Sequence, residues 1–365
     1  MKNKFLLFFG LFFFSFSFGQ TISPEAKFSI LTIGKGQELH SLFGHTALRI
    51  ADEKNGFDIV FNFGYFDFNT PNFYLKFVKG DLLYHAEIEQ YYQLLAYYQY
   101  FDRSVAEQEL NLTVNQKQQL FDKLNNIALT NERFYIYKFI DDNCTTRVQK
   151  AVADVANVSL EKVNGTDVSY RHIINNYLGD RYFEKFGINI IFGPRVDQKA
   201  KQLFLPDELF QSIDGKNIEK NNVEIYTSNS VHPAPWWNSF WVVSALIVIM
   251  VILNNSRLYA MFLAIIGCIG VFFCSIGLFS LHQEVLWNYN TLLFNPILLF
   301  IVFYYYKNAI KMLSYLKKIY LACILIYLII LLNKDHLFLM VPYVFIFPFI
   351  VYRFLKSKRI TIDPS

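Results

Sequence analysis

The 365-residue sequence holds only four cysteines. Three of them, Cys268, Cys274 and Cys323, fall in the middle of long apolar runs, where they read as small packing residues. Cys144 alone lies outside such a run, so it has no partner for a disulfide. Oxidising compartments favour paired cysteines, and an unpaired thiol there is open to oxidation unless it is buried or used. Both readings of Cys144, a packing residue and a reactive one, are open at this point. Charge is scarce as well, at 18% of residues. None of it sits in the middle of an apolar run, which argues against an ion pathway. The seven histidines are accompanied by no cysteine-rich or third-ligand cluster, so no metal and no cofactor is expected. Internal repeats and low-complexity linkers are also lacking.

What is present divides the chain in two. Lys2 and Lys4 precede an apolar stretch from Phe5 to Phe16, and Ser17-Phe18-Gly19-Gln20 follows; this predicts a signal peptide, residues 1–19, cut before Gln20. A mixed region, 20–231, is expected to form one exported domain. His232-Pro233-Ala234-Pro235 reads as a stiff linker. From Trp236 the sequence is extremely apolar, with five expected spans in 236–354: Trp236 to Leu253, Tyr259 to Leu281, Thr291 to Tyr306, Ile319 to Leu332 and Leu337 to Phe354. Residues 355–365 form a tail.

The connectors alternate in charge. Arg257, then Lys307, Lys311, Lys317 and Lys318, then Arg353, Lys356, Lys358 and Arg359 fall on one side, and only Lys334 on the other. Positive residues collect inside, so the expectation is an inner-membrane protein with its first half in the periplasm and its C-terminus in the cytoplasm. The net charge of +4 is then topology rather than a sign of nucleic acid.

In the exported region, Lys27 to Ile33, Gly44 to Ile50, Asp58 to Phe63 and Asp81 to Ile88 carry β-branched and aromatic residues between turn residues and read as strands. Helical patterns follow at Gln90 to Phe101, Val114 to Ala128 behind a Thr113 cap, Cys144 to Ala156 behind an Asn143 cap, Tyr170 to Leu178 and Lys199 to Phe210. The expected class is α+β, followed by an all-α membrane bundle.

Alternation on the second strand places His45, Ala47 and Arg49 on one face and Thr46, Leu48 and Ile50 on the other. The histidine face is expected to be polar, with the Cys144 helix packed near it. A sulfur at a helix start is favoured as thiolate by free backbone N–H groups and the dipole. Imidazole as base and thiolate as attacker would make a minimal nucleophilic pair from Cys144 and His45. A buried cysteine beside a hydrogen-bonded histidine would give the same pattern.

Four segments then carry a resemblance: Phe43-Gly44-His45-Thr46-Ala47-Leu48-Arg49, Asn62-Phe63-Gly64-Tyr65-Phe66-Asp67-Phe68, Asn72-Phe73-Tyr74-Leu75-Lys76-Phe77 and Asp142-Asn143-Cys144-Thr145-Thr146-Arg147. A strand histidine first and Asn-Cys at a helix start afterwards is similar to the circularly permuted papain-like thiol enzymes, which include NlpC-related hydrolases and lecithin retinol acyltransferase. More specifically, the chain resembles the family named for its Lnb N-terminal periplasmic domain, found in Bacteroidetes. The resemblance implies a permuted papain-like domain and lipoprotein N-acylation, in which a phospholipid is the acyl donor and a diacylglyceryl-cysteine lipoprotein the acceptor, with Cys144 as nucleophile and His45 as base. The same pair would serve a thiol peptidase or amidase acting on cell-wall peptide, and a non-catalytic membrane assembly factor would use neither.

A third polar residue commonly orients the histidine. Asn62 is the first choice and Asp67 the second. Arg147, three positions after Cys144, would favour the thiolate or hold a phosphate; its plainer role is an ion pair with Asp141 or Asp142. His40 is a second candidate histidine. In the loop from Leu281 to Asn290, His282, Asn288 and Asn290 are candidates to touch a substrate head group.

Overall fold

The computed structural model describes residues 21–214, 216, 218–229 and 233–357. The expected signal peptide, His232 of the linker and the tail beyond Ser357 lie outside the described residues.

Strands β1 (Lys27–Ile33), β2 (His45–Asp52), β3 (Phe57–Tyr65) and β4 (Leu83–Gln90) form where the alternation places them. Three more, β5 (Val105–Leu110), β6 (Phe134–Ile136) and β7 (Glu219–Tyr226), complete an antiparallel sheet in the order β6-β4-β3-β2-β1-β5-β7. The helices of this half are α1 (Phe73–Lys79), α2 (Tyr91–Tyr100), α3 (Val114–Leu129), α4 (Cys144–Ala156), α5 (Tyr170–Leu178), α6 (Tyr182–Ile191) and α7 (Pro206–Ile213). The predicted helix from Lys199 to Phe210 is corrected: Lys199 instead bridges to Ser169, and the helix starts at Pro206. Proline drives the residue before it, Leu205, into extended backbone and is itself at home in the first helical turn.

Both faces of the sheet are covered. Phe28, Ile30, Leu48, Ile50, Phe61 and Phe63 pack against Leu120 and Leu124 of α3 and Val148, Ala151 and Val152 of α4. On the other face Leu31, Ile33, Ala47 and Val60 pack under Tyr91, Leu94 and Tyr98 of α2. Two expectations are thereby overturned. The His45 face is apolar, because α2 covers it, and Arg49 on that face stays charged only by pairing with Asp58 and Glu107 beneath the Tyr91 ring. The Cys144 helix packs on the opposite face, that of Leu48 and Ile50.

The second half consists of apolar helices α8 (Phe240–Leu253), α9 (Ser256–Phe279), α10 (Ile297–Tyr306), α11 (Ile310–Leu331) and α12 (Leu337–Ser357). Among the described residues, four segments are long and apolar enough to cross a membrane: Ser256–Phe279, Gln283–Tyr306, Ile310–Leu331 and Leu337–Ser357. The segment ending in α10 includes 3-10 turns at Gln283–Val285 and Tyr289–Leu292. Helix α8 has 14 residues, which at about 1.5 Å per residue is roughly 21 Å, short of a hydrocarbon core of about 30 Å. Helix α11 begins nine residues before the expected span, so Lys311, Lys317 and Lys318 lie on the helix rather than in a connector. Cys268 and Cys274 are exposed on α9 and do not pack inside the bundle as expected.

The two halves are joined at one end of the sheet, the end where β2 begins and β3 and β7 finish. The carbonyls of Phe77, Val78 and Lys79, left open at the C-terminus of α1, accept from His282 Nε2 (2.9 Å), Ser280 Oγ (3.0 Å) and Leu281 N (2.7 Å). The last carbonyls of α6 are bound by Asn288 and Asn290. Arg171, 1% exposed, donates to Asp197, to the carbonyls of Phe192 and Gly193 and to Tyr289, while Lys334 pairs with Asp197 at 3.1 Å. The guanidinium outweighs burial and holds the Asp197 carboxyl below its usual range. Farther along the chain, Asn238 donates to Glu184 and accepts from the Phe183 amide.

Candidate active site

His45 opens β2 directly after Gly44, whose φ of +78° suits glycine, and a Cβ there would lie 2.7 Å from the Ile33 carbonyl. At the strand's first position the imidazole is not confined to one face of the sheet. Asn143 caps α4 through a reciprocal pair of bonds: its Oδ1 accepts from Thr146 N (3.0 Å), and its own N–H donates to Thr146 Oγ1 (2.9 Å). The Asn143 amide also donates to the carbonyls of Phe139 and Phe204, which fixes the start of the helix against two loops. Cys144 and His45 therefore meet at the end of the sheet, the sulfur arriving from one face and the ring from the other. The charge of each acts on the other.

Asn62 on β3 lies in register with Ala47 of β2, hence on the histidine's face. His45 Nε2 and Asn62 Oδ1 are 2.5 Å apart. A carbonyl oxygen only accepts, so Nε2 carries the proton and Nδ1 is left for the sulfur. The amide is oriented in turn, because Asn62 Nδ2 donates to Glu89 Oε1 at 2.8 Å, and the same oxygen accepts from the Tyr65 hydroxyl. Tyr65 is turned to this position by a bulge at Gly64, which has φ +108° and lies against the His45 ring.

Burial pushes the Cys144 thiol up, but the His45 charge and hydrogen bond, the Thr46 backbone N–H and the Thr145 hydroxyl outweigh it and bring the thiol down to about 7. Burial lowers the imidazole, and the Cys144 charge together with the bonds to sulfur and Asn62 more than offsets this, so His45 is raised. Thiolate and imidazolium thus stabilise each other. Thr145 Oγ1 lies 4.0 Å from the sulfur and 3.0 Å from Thr46 Oγ1. The Cys144 and Thr145 N–H groups belong to the first helical turn, which has no intrahelical acceptors. Arg103, 8% exposed, donates from Nε to the Gly34 carbonyl, leaves Nη2 without a hydrogen-bond partner and feels the Cys144 charge. Burial lowers its pKa.

The remaining residues singled out from sequence lie elsewhere. Asp67 binds the Asn69 N–H in an exposed turn and does not orient the histidine. Arg147 is held by Asp142 in a two-pronged pair (2.6 and 2.8 Å) and stacked on Tyr135, so it is not free to take a phosphate. Asp141 is paired with Arg195 at 2.6 Å. With both acids neutralised by arginines, their opposition to the thiolate is muted. His40 is exposed in a 3-10 turn, Leu39–Ser41, away from the Cys144 sulfur's hydrogen bonds. His282 is spent on the α1 carbonyl, and Asn288 and Asn290 are buried with their amides bound to the end of α6, so these three join the halves and do not face a head group.

Glu89, Tyr65, Arg103 and Thr46 escaped the sequence reading. Period-two alternation gives each strand's faces but not the register between strands, and register alone brings Glu89 to Asn62. Arg103 follows a helix in Asp102-Arg103-Ser104 with no local pattern to mark it.

No curated protein and no solved structure matched the chain. A family model did, that of the Lnb N-terminal periplasmic domain, over residues 16–176, a stretch that includes His45, Asn62, Glu89, Arg103 and Cys144. The part of the chain that carries the thiol and the imidazole is thus the part that is similar to this family.

Proposed function

We propose that this protein is a membrane-embedded thiol acyltransferase that moves a fatty acyl chain from a phospholipid to the α-amine of a diacylglyceryl-cysteine lipoprotein. The observation that carries the reading is the hydrogen-bonded series His45, Asn62, Glu89 with the Cys144 sulfur electrostatically coupled to its imidazole, set at the end of the sheet that is joined to the membrane helices. Such a series would suit a permuted papain-like enzyme.

The Cys144 thiolate would attack the ester carbonyl of the donor, forming a C–S bond. The N–H groups of Cys144 and Thr145 would hold the oxyanion, aided by Arg103. As the C–O bond breaks, the imidazolium of His45 gives its proton to the departing alkoxide, and a lysophospholipid leaves. The lipoprotein amine then attacks the thioester, His45 takes the amine proton, and the C–S bond breaks to restore the thiolate. Neither step needs ATP or a metal. The same side chains would serve a thiol peptidase or amidase; what favours acyl transfer is the site's placement at the membrane joint, where both substrates are anchored.

Five crossings are part of the reading. Lys334 and the Ser280–Asn290 loop touch the exported domain, whereas Asn254 meets Arg353, and Tyr305 meets Ser357, at the far ends of their helices. On this reading α8 would cross, its 14 residues extended by Trp236 and Trp237, and the basic connectors would lie in the cytoplasm of an inner-membrane protein.

Mass spectrometry of one native lipoprotein's amino-terminal peptide tests the proposal. With the protein present the peptide carries three acyl groups, and with Cys144→Ser or His45→Ala it carries two. A third acyl group that persists in both variants would exclude the acyltransferase.

A further inference from the structure

Helix α1 is unusual among the helices of the exported half, for none of its residues is buried. Its seven residues include Phe73, Tyr74, Leu75 and Phe77. Phe73 packs on the exported core, and Val78 packs on the core of the membrane helices. Tyr74, Leu75 and Phe77 are left exposed, with Phe68 of the preceding turn beside them. Leu278 and Leu281 are exposed close by, because residues 280–282 bind the last carbonyls of α1 at the end of α9. Helix α9 has 24 residues, or about 36 Å at 1.5 Å each, slightly more than the hydrocarbon thickness. Its last turn, and α1 with it, therefore stand at the level where lipid tails give way to head groups. Contiguous exposed apolar area of this kind marks an interaction surface.

We propose that α1 and the turn before it, Phe68 to Phe77, form a lipid-binding surface that lies in the interface of the leaflet facing the exported domain. The occupant is the bilayer itself, since the patch lies beside a surface that lipid already covers. Tyrosine and phenylalanine sink to the acyl boundary, and Lys76 and Lys79 in the same helix suit the head-group layer. The surface also points toward the thiol. From Phe77 the rings of Phe73, Phe66, Tyr84 and Tyr137 follow one another at centroid separations of 6.3, 5.8, 5.2 and 4.7 Å. Tyr137 is close enough to the sulfur for the Cys144 charge to raise its pKa further, beyond what burial does. If the acyl-transfer reading holds, an acyl chain leaving the bilayer over α1 has an apolar course to the nucleophile.

The test uses the unmodified full chain in nanodiscs of phosphatidylglycerol and phosphatidylethanolamine, one copy per disc. Hydroxyl-radical footprinting compares Tyr74, 80% exposed, with Tyr92, 67% exposed at the opposite end of the sheet. In water Tyr74 would oxidise at least as fast as Tyr92; embedded in lipid it oxidises at least about fivefold more slowly. A phospholipid with a photoreactive acyl chain is expected to label the peptide holding residues 73–77 and to leave the one holding Tyr92 unlabelled. Equal oxidation of the two tyrosines, or no lipid label on residues 73–77, would overturn the proposal. Neither readout depends on acyl transfer, so a failure here is distinct from a failure of the enzymatic reading.

Discussion

Asn62 Oδ1 accepts the Nε2 proton of His45 at 2.5 Å, and this bond decides which ring nitrogen faces Cys144. Because Glu89 in turn fixes the Asn62 amide, replacing Asn62 with Ala releases the ring without touching nucleophile or base. Acyl transfer is expected to fall by roughly 10²-fold, the cost of a reacting group displaced by about 1 Å. Glu89→Gln keeps the shape and is expected to cost less. Thioester formation measured in membranes, beside an unchanged melting temperature, checks both.

Alkylation by iodoacetamide reads the thiolate directly. Since Cys144 is drawn down to about 7, its reaction rate is expected to climb through that pH, below the ~8.5 of an ordinary thiol. His45→Gln removes the opposing charge and the hydrogen bond while the burial remains, so the midpoint moves up, past the ordinary value. A midpoint in the variant unchanged from wild type would mean that the imidazole does not stabilise the anion.

Arg103 contributes a second cation that feels the Cys144 charge. Arg103→Met is expected to shift the same alkylation midpoint upward, by less than His45→Gln does. The fold loses the bond to Gly34 and the contact of the guanidinium with the Tyr98 ring, about 1–2 kcal/mol, so alkylation is read below the melting transition of the variant.

The joint should be energetically sensitive where the active site is not. Asn290 donates to the carbonyls of Asn189 and Ile190 and accepts from the Tyr327 hydroxyl at 2.7 Å. Asn290→Leu keeps the branched outline and leaves the Tyr327 hydroxyl unpaired in a dry interior, at a cost of about 1–3 kcal/mol, while the Asn189 and Ile190 carbonyls keep Arg171 and Asn288 as donors. A lowered melting temperature, with Cys144 alkylation unchanged below the transition, is the expected outcome.

Topology is open to the same reagent chemistry. A cysteine at Lys334, in a chain otherwise free of reactive thiols, is expected to react with a membrane-impermeant maleimide added from the periplasmic side, and one at Lys311 is not. Reaction at both positions would remove the five-crossing arrangement.

Local chemistry was readable in the chain wherever a short pattern encodes it. The Cys144 helix, with its Asn143 cap, and the Tyr170 helix begin and end at the expected residues, since capping and period 3.6 are properties of a few neighbours. His45, Asn62 and Cys144 were all singled out before any fold was known, and the structure brings them together. Which face of the sheet each helix covers was not readable. The pattern around Thr46, Leu48 and Ile50 suggested one buried face, whereas Ala47, Val60 and Leu31 bury the other under α2. The loop histidine and asparagines, His282, Asn288 and Asn290, looked functional because polar residues beside a membrane commonly are. Their actual partners, open carbonyls at the ends of α1 and α6, become visible only when those two helices, both unseen in the sequence, are in place.

The several fastenings between the halves leave no swivel. Arg171 alone ties the loop after α6 to Tyr289, and Lys334 grips the same aspartate from a different connector. On the acyl-transfer proposal these fastenings would hold the Cys144 sulfur at one height over the bilayer, so an acceptor would be served only if its first residues are loose enough to reach that level.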